Sequence, residues 1–222
     1  CYYVDNAAEK TRYVYLRNSR GFGARTPYIY EYQWMVETLE TTPDGWHVVA
    51  FAHEFFQSTT SYPDPVNPYK CEDFCQGVLK LFDDYNAREI GYSNFYSVPF
   101  DFSDNTATVE LCVAGDNHRD NVMYTEDGVP VVILMTDGQG RSKNNKPDVQ
   151  ADKNTANENA VSTFILDYDN RVVNIVRTGA NGDIVIPLSA VGQTYVEPTS
   201  CTDIATEDTV IADKRFTTAG NV

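Results

Sequence analysis

Basic residues and long apolar runs are both scarce in this chain of 222 residues. Only 17 Lys and Arg residues stand against 32 Asp and Glu residues, which gives a formal net charge of −15. Surfaces that bind nucleic acids or anionic membranes in general need clustered Lys and Arg to neutralise phosphates, so this balance argues against both. No apolar run approaches the roughly 18 to 20 residues that a membrane span requires. The composition predicts a soluble globular protein, and any phosphorylated substrate would need a local cation, most simply a metal.

Cysteine is also sparse, and the five cysteines show no regular spacing: Cys1, Cys71, Cys75, Cys112 and Cys201. An odd, irregular set does not predict a disulfide framework. Two of them lie four residues apart on a predicted helix, which places both on one face. They are either half of a soft metal site or two ordinary small hydrophobic residues, and we favour the second interpretation. Cysteines without a pairing pattern suit a reducing compartment, but a particle assembled in cytoplasm and later released would look the same, so virion and extracellular locations stay open.

The chain does not begin with Met, and no signal peptide precedes its first predicted strand, "YYVDN". We therefore expect that the sequence begins inside a larger chain.

Apolar strands alternate with helices over the first two thirds of the sequence. Residues 28–45 read as a helix that stops near Pro43 and Gly45, and residues 71–89 read as a second helix. Apolar strands are predicted at residues 46–56, 107–115 and 129–138. This alternation is typical of a layered α/β core.

The two predicted helices differ in how clear their apolar faces are. The first places Tyr30, Trp34 and Leu39 near one face. The second has a longer stripe at helical spacing, formed by Phe74, Val78, Leu81, Phe82 and Tyr85. We expect the stripe of the second helix to be buried.

The rest of the chain divides into a polar stretch, a strand-rich block and a tail. Residues 138–159 are predicted to form a surface loop, and residues 161–188 to form strands in which "DYDNR" joins a hairpin. Residues 189–222 lack a helix period and resemble a linker or an extra strand that leads to a further module. The predicted division is one domain over residues 1–188 and this extension after it.

Only three histidines are present, and two of them follow apolar strands. His53 comes at the end of one strand, and His118 lies in a turn with Asp116 just after another, with Asp120 close by in sequence. Ligands collect at the carboxyl ends of strands in open α/β sheets, so these side chains form a plausible metal cluster. Each histidine alone could also be a capped or solvated loop residue. His47 precedes its strand, and we interpret it as structural.

Five blocks of the sequence carry a family resemblance: "GWHVVAFAHEFF", "LFDDYNARE", "VELCVAGDNHRD", "GVPVVILMTDG" and "STFILDYDNRVVNIVRTGANGDIVI". In this order they resemble the C-terminal half of calcineurin-like metallophosphoesterases, over roughly residues 2–188. The resemblance implies the C-terminal half of a four-layer α-β-β-α sandwich with a two-metal centre at the strand ends. It also implies a divalent metal cofactor (Mn, Mg, Fe or Zn) and a phosphoester substrate.

The resemblance also implies roles for individual side chains. In that family a lone histidine ends the strand that matches "VVAFAH", so His53 would bind the second metal. The next family motif is Gly-His-x-His, which residues 115–118 match as Gly-Asp-Asn-His. By position, His118 would bind the first metal, and Asp116 stands where the family has a ligand of the second. A carboxylate can bind Mg, Mn or Ca, although Asp is shorter than His.

The remaining ligands of the family come from an N-terminal half, through Asp-x-His, Gly-Asp-x-x-Asp and Gly-Asn-His-Asp motifs, and this sequence contains none of them. A two-metal centre needs a full bridging set, and the three side chains present would hold one metal loosely at best. We therefore expect no phosphoester hydrolysis by this chain alone. A half sheet would also expose its edge and one face, so we expect the N-terminal half or a neighbouring chain to complete it.

Two other functions stay open at this point. One is a catalytically silent module of the same fold in a phage virion or a cell-surface protein, in which loop aromatics such as those of "GYSNFYSVPFDF" make contacts. The other is a calcium-stabilised adhesive domain, which "DYDN" and "NGDI" suggest, although both also read as turns.

Overall fold

The computed structural model describes residues 1–16, 29–53, 55, 73–94, 96–115, 120–134, 160–179 and 182–189. Two helices are present in these ranges, α1 (Ile29–Glu40) and α2 (Asp73–Asn86). The strands are β1 (Tyr2–Asn6), β2 (Thr11–Tyr15), β3 (His47–Phe51), β4 (Ile90–Tyr92), β5 (Pro99–Asp101), β6 (Thr108–Ala114), β7 (Asn121–Tyr124), β8 (Pro130–Ile133), β9 (Ala160–Asp167), β10 (Val172–Gly179) and β11 (Ile184–Pro187).

The larger sheet contains six strands in the order β1-β2-β3-β6-β8-β7. Its four central strands, β2, β3, β6 and β8, run parallel to one another. The outer strands β1 and β7 pair antiparallel to β2 and β8. A smaller antiparallel sheet has the order β11-β10-β9, and β4 and β5 form a separate two-stranded ribbon. The carboxyl ends of the parallel strands therefore lie at one edge of the larger sheet.

The helices cover one face of the larger sheet. The buried face of α1 contains Tyr32, Met35, Val36 and Leu39, which follow the spacing of one helical stripe. Tyr30, predicted to lie near the same face as Leu39, is 57% exposed whereas Leu39 is fully buried, so that shared face is wrong. The helix begins at Ile29, so Tyr30 lies in its first turn, on another side than the buried stripe.

The second helix follows its predicted stripe closely. Val78, Leu81, Phe82 and Tyr85 are all buried in the same core as α1, together with Cys112 of β6. The side chains of Phe74 and Cys75, and all of Cys71 and Cys201, lie outside the described residues, so the proposed cysteine pair is not addressed. In the described part of the chain neither helix has the length and apolar character needed to cross a membrane.

A buried carboxylate fixes α2 to the turn between β7 and β8. The hydroxyl of Thr125 donates a hydrogen bond to Oδ1 of Asp83, and the amide of Val129 donates to the same hydroxyl oxygen over 2.9 Å. Burial raises the pKa of Asp83 to about 7, and the bond from Thr125 opposes part of that rise. The α2–turn contact therefore includes a group whose charge changes near neutral pH.

The three-stranded sheet covers the other face of the larger sheet. Its inner residues Val173, Ile175 and Ile186 pack in one core with residues of the larger sheet such as Val49 and Leu111. The chain is thus a mixed α/β protein with three layers: helices, the six-stranded sheet and the three-stranded sheet. This confirms the predicted α/β class, and a second helical layer is not seen among the described residues.

Several boundaries differ from the sequence-based expectation. The strands β4, β5 and β7 were not predicted, whereas the hairpin at "DYDNR" joins β9 to β10 as expected. β3 ends at Phe51, earlier than the predicted end at residue 56. The predicted loop at residues 138–159 and residues 190–222 of the predicted extension lie outside the described residues.

Candidate metal centre

Three parallel strands end side by side at the edge where metal ligands were predicted. The amide of Ala52 donates to the carbonyl oxygen of Val113 over 3.0 Å, just after β3. The amide of Gly115 then donates to the carbonyl oxygen of His53 over 3.1 Å, and the amide of Leu134 donates to that of Ala114 over 3.0 Å. The backbone therefore brings the residues that follow β3, β6 and β8 into direct contact.

His53 is exposed to solvent at this edge, two residues beyond the end of β3. Phe55, two residues further along the chain, is fully buried. His53 therefore lies at the surface of the sheet edge, close in sequence to the core.

Asp116 and His118, the other two predicted ligands, lie outside the described residues. Gly115, which directly precedes Asp116, is described, and its amide is hydrogen-bonded to the carbonyl oxygen of His53. An imidazole on one strand end and a carboxylate one residue after the other strand end are therefore joined by this backbone contact. Both classes bind Mn, Mg, Fe or Zn in proteins, so this donor set fits a divalent metal.

Asp120, directly before β7, forms an ion pair. Asp120 accepts a hydrogen bond from Nη2 of Arg177 in β10, whose side chain is fully buried. The amide of Arg177 donates to Oδ1 of Asp183 over 2.7 Å. Asp120 is close in sequence to the predicted metal ligands. In the structure it takes part in this sheet-to-sheet contact.

Among the residues that the structure describes, no group of three or more His, Cys, Asp and Glu side chains is arranged to hold a metal ion. That search covers only His53 of the three predicted ligands. The described part of the site is thus one exposed histidine and the backbone hydrogen bond that joins it to residue 115.

A second polar cluster lies toward the amino-terminal ends of the parallel strands of the larger sheet, and the sequence did not predict it. Glu110 in β6 is fully buried, and its Oε1 accepts hydrogen bonds from Nδ1 of His47 over 2.7 Å and from Nη1 of Arg171 over 2.6 Å. Nη2 of Arg171 donates to the carbonyl oxygen of Ser189 over 2.6 Å. Within the described part of the chain, Oε2 of Glu110 has no hydrogen-bond partner.

Tyr168 completes this cluster from the turn between β9 and β10. Its ring stacks on the His47 imidazole with centroids 3.7 Å apart, and its hydroxyl lies 2.8 Å from Oγ1 of Thr11. Burial raises the pKa of Tyr168 above its ordinary value. The contacts give His47 the structural role expected of it, because they join the two sheets.

Comparison with known proteins found no matching family model, no matching curated protein and no matching solved structure. The family resemblance therefore rests on the sequence blocks alone.

Proposed function

We propose that this chain is the C-terminal half of a calcineurin-like metallophosphoesterase domain in a larger protein. The proposal includes the finer architecture, in which a second helical layer would complete an α-β-β-α sandwich. Its reaction would be metal-assisted hydrolysis of a phosphomonoester or phosphodiester once an N-terminal half supplies the other ligands. By itself the chain would be inactive.

The observation that carries this proposal is the hydrogen bond between the Gly115 amide and the His53 carbonyl oxygen. Adjacent parallel strands bring the residues that follow them to the same end of a sheet, and β3 and β6 are adjacent and parallel. An antiparallel pair would have placed the residues after the two strands at opposite ends of the sheet.

In this proposal His53, Asp116 and His118 would hold the metals, which would polarise a phosphoryl oxygen and lower the pKa of a bound water. The chain's own part is to present an exposed histidine at the sheet edge and to fix the two residues that flank residues 116–119 in sequence. The amide of Gly115 donates to the carbonyl oxygen of His53, and Asp120 pairs with Arg177.

The test is hydrolysis of bis-p-nitrophenyl phosphate and p-nitrophenyl phosphate with Mn²⁺ by the protein that includes its upstream portion. We expect turnover that His53→Ala and His118→Ala each reduce by at least roughly tenfold, because each removes a metal ligand. Asp169→Ala, on an exposed turn far along the chain, is the matched control. Absence of turnover with any divalent metal would contradict the enzymatic proposal.

A second function, a catalytically silent structural or binding module of the same fold, is favoured by a separate observation. Several large apolar side chains are exposed on different parts of the surface, including Tyr2, Tyr30, Tyr92 and Tyr96. Exposed tyrosines provide contact area in protein interfaces. A phage virion or a cell-surface protein would use such a surface. An upstream sequence without Asp-x-His and Gly-Asn-His-Asp motifs, together with no bound metal, would favour this function.

A further inference from the structure

Asp83 of α2 is a buried acid that the proposed function does not use, and it is only 3% exposed. The hydroxyl of Thr125 donates a hydrogen bond to its Oδ1, and the backbone amide of Asp127 also faces the carboxyl group. Both groups belong to the turn between β7 and β8 (residues 125–128). This turn therefore covers the carboxyl group and supplies its polar neighbours.

Among the described residues no cation forms an ion pair with Asp83. Burial is the main reason that the pKa of Asp83 is raised, and the carboxylate of Asp127 raises it further. Lys80 on α2 opposes this rise, but its ammonium group is paired with Asp84. From β6 the neighbouring group is the buried thiol of Cys112, whose own pKa is raised by burial and then by Asp83. The groups that face Asp83 from α2, the turn and β6 thus include one cation, and that cation already has a partner.

A cleft of about 320 Å³ lies beside this contact, and its lining includes Lys80, Asp84 and Asp127. Asp83 itself is not one of the lining residues. Asp127 lines the cleft and also faces Asp83, so the turn separates the buried carboxyl group from this open space. A displacement of the turn away from α2 would connect Asp83 to the cleft and let water reach it.

The turn is closed by few hydrogen bonds. The amide of Thr125 donates to the carbonyl oxygen of Val129 over 2.9 Å, and the amide of Gly128 donates to that of Thr125 over 3.1 Å. The amide of Val129 donates to the Thr125 hydroxyl oxygen, which links the turn's own bonds to the bond with Asp83. Gly128 has a φ of 86°, a left-handed conformation that glycine adopts at little cost. Opening this turn would therefore break only these bonds and leave the sheets in place.

We propose that the contact between α2 and the β7–β8 turn is a pH-sensitive device: the turn covers Asp83 while the carboxyl group is protonated and opens toward the cleft when the group ionises. Ionisation inside the closed contact is unfavourable, because it buries a charge without a cation. Opening hydrates the carboxylate and adds a negative charge to the wall of the cleft. The inference does not depend on the proposed phosphoesterase function.

Opening should increase as the pH rises, because the open state gives up the proton more readily. The pKa of Asp83 is about 7 in the closed contact and returns toward its ordinary value of 3.8 when water reaches the group. The equilibrium constant for opening should therefore rise by up to about tenfold per pH unit between pH of about 4 and 7, and level off above that.

The test is hydrogen–deuterium exchange of the Gly128 and Val129 amides at pH 5 and pH 7, corrected for the intrinsic pH dependence of exchange and repeated in low concentrations of urea. We expect the protection of both amides to fall by roughly tenfold or more between the two pH values. At pH 7 their exchange should be nearly independent of urea, since a local opening exposes little surface, and amides in the centre of β3 should be better protected. Turn amides that share the protection and urea dependence of β3 would show exchange by global unfolding and overturn the inference.

Two variants complete this test. Asp83→Asn removes the charge and keeps the shape of the side chain, so protection of the turn should no longer depend on pH. Glu126→Gln is the matched control, because Glu126 is exposed in the same turn and its loss should leave the pH dependence intact. Equal behaviour of the two variants overturns the inference.

A direct titration of Asp83 in the unsubstituted chain covers the case in which Asp83→Asn does not fold. The chemical shift of its carboxyl carbon, followed by nuclear magnetic resonance, gives the pKa of the group. A pKa well above 3.8 supports the inference, and a pKa near 3.8 overturns it.

Discussion

Arg171, on the turn between β9 and β10, reaches across the two sheets to Glu110 of β6, with 2.6 Å between Nη1 and Oε1. Arg171 has a positive φ of 57°, in the left-handed region that non-glycine residues adopt only at a cost. The backbone conformation of the turn is therefore maintained in part by this ion pair and by the bond to Ser189. The pair ties the smaller sheet to the centre of the larger one.

Removing Glu110 should be strongly destabilising, because Arg171 and His47 would lose their shared acceptor inside the protein. We expect Glu110→Ala to lower the free energy of unfolding by about 3 to 5 kcal/mol, the range for breaking a buried ion pair. Urea denaturation measures this change. Glu126→Ala is the control, since Glu126 is exposed. A loss below about 1 kcal/mol would mean that the cluster adds little to stability.

Tyr168 and Thr11 provide a milder test of the same sheet-to-sheet contact. Tyr168→Phe keeps the ring stacked on His47 and removes only the hydroxyl bonded to Thr11, so we expect a loss of about 1 kcal/mol. Thr11→Val removes the other partner of the same bond. In a double-mutant cycle the two changes should be non-additive. Strict additivity would show that this hydrogen bond does not contribute.

Asp83 predicts a pH dependence with a defined sign. Its folded-state pKa of about 7 lies above its ordinary value of 3.8, so the folded protein binds the proton more tightly than the unfolded chain does. The resulting stabilisation is fully present below pH of about 4 and is lost as the pH rises through about 7. We expect Asp83→Asn, compared with the unsubstituted protein, to become relatively more stable between pH 5 and pH 8 by on the order of 2 to 4 kcal/mol. Urea denaturation at the two pH values gives this difference, and an equal effect of the substitution at both would contradict the assignment.

Local patterns predicted much of this fold. The stripe of α2 was predicted because its buried residues repeat at helical spacing, and the hairpin at residues 168–171 because its turn residues stand between apolar runs. Strands β4 and β5 have only three residues each, which is too short for an alternating pattern to be recognised. Strand β7 has only four residues and was missed for the same reason.

The polar cluster around Glu110 could be predicted only in part from the sequence. One acidic residue inside "VELCVAG" was the available signal, because a charge in an otherwise apolar strand needs a buried partner. Its partners, His47 and Arg171, are 63 and 61 residues away, and only the strand pairing brings them together. The sequence predicts that His53 and Gly115 follow apolar strands, but their direct contact depends on the order of strands in the sheet, which the sequence does not predict.

The most direct measurement of a metal site at the ends of β3 and β6 is Zn²⁺ binding to residues 1–222, followed by competition with a chromophoric chelator, for the unsubstituted chain and three variants. We expect weak binding that His53→Ala abolishes and that Asp116→His strengthens by roughly tenfold or more, because imidazole is a better ligand for Zn²⁺ than carboxylate. Asp169→His, which adds a histidine on an exposed turn elsewhere, should leave the affinity unchanged. Equal affinity in all four proteins would contradict a metal site formed by His53 and the residues after Gly115.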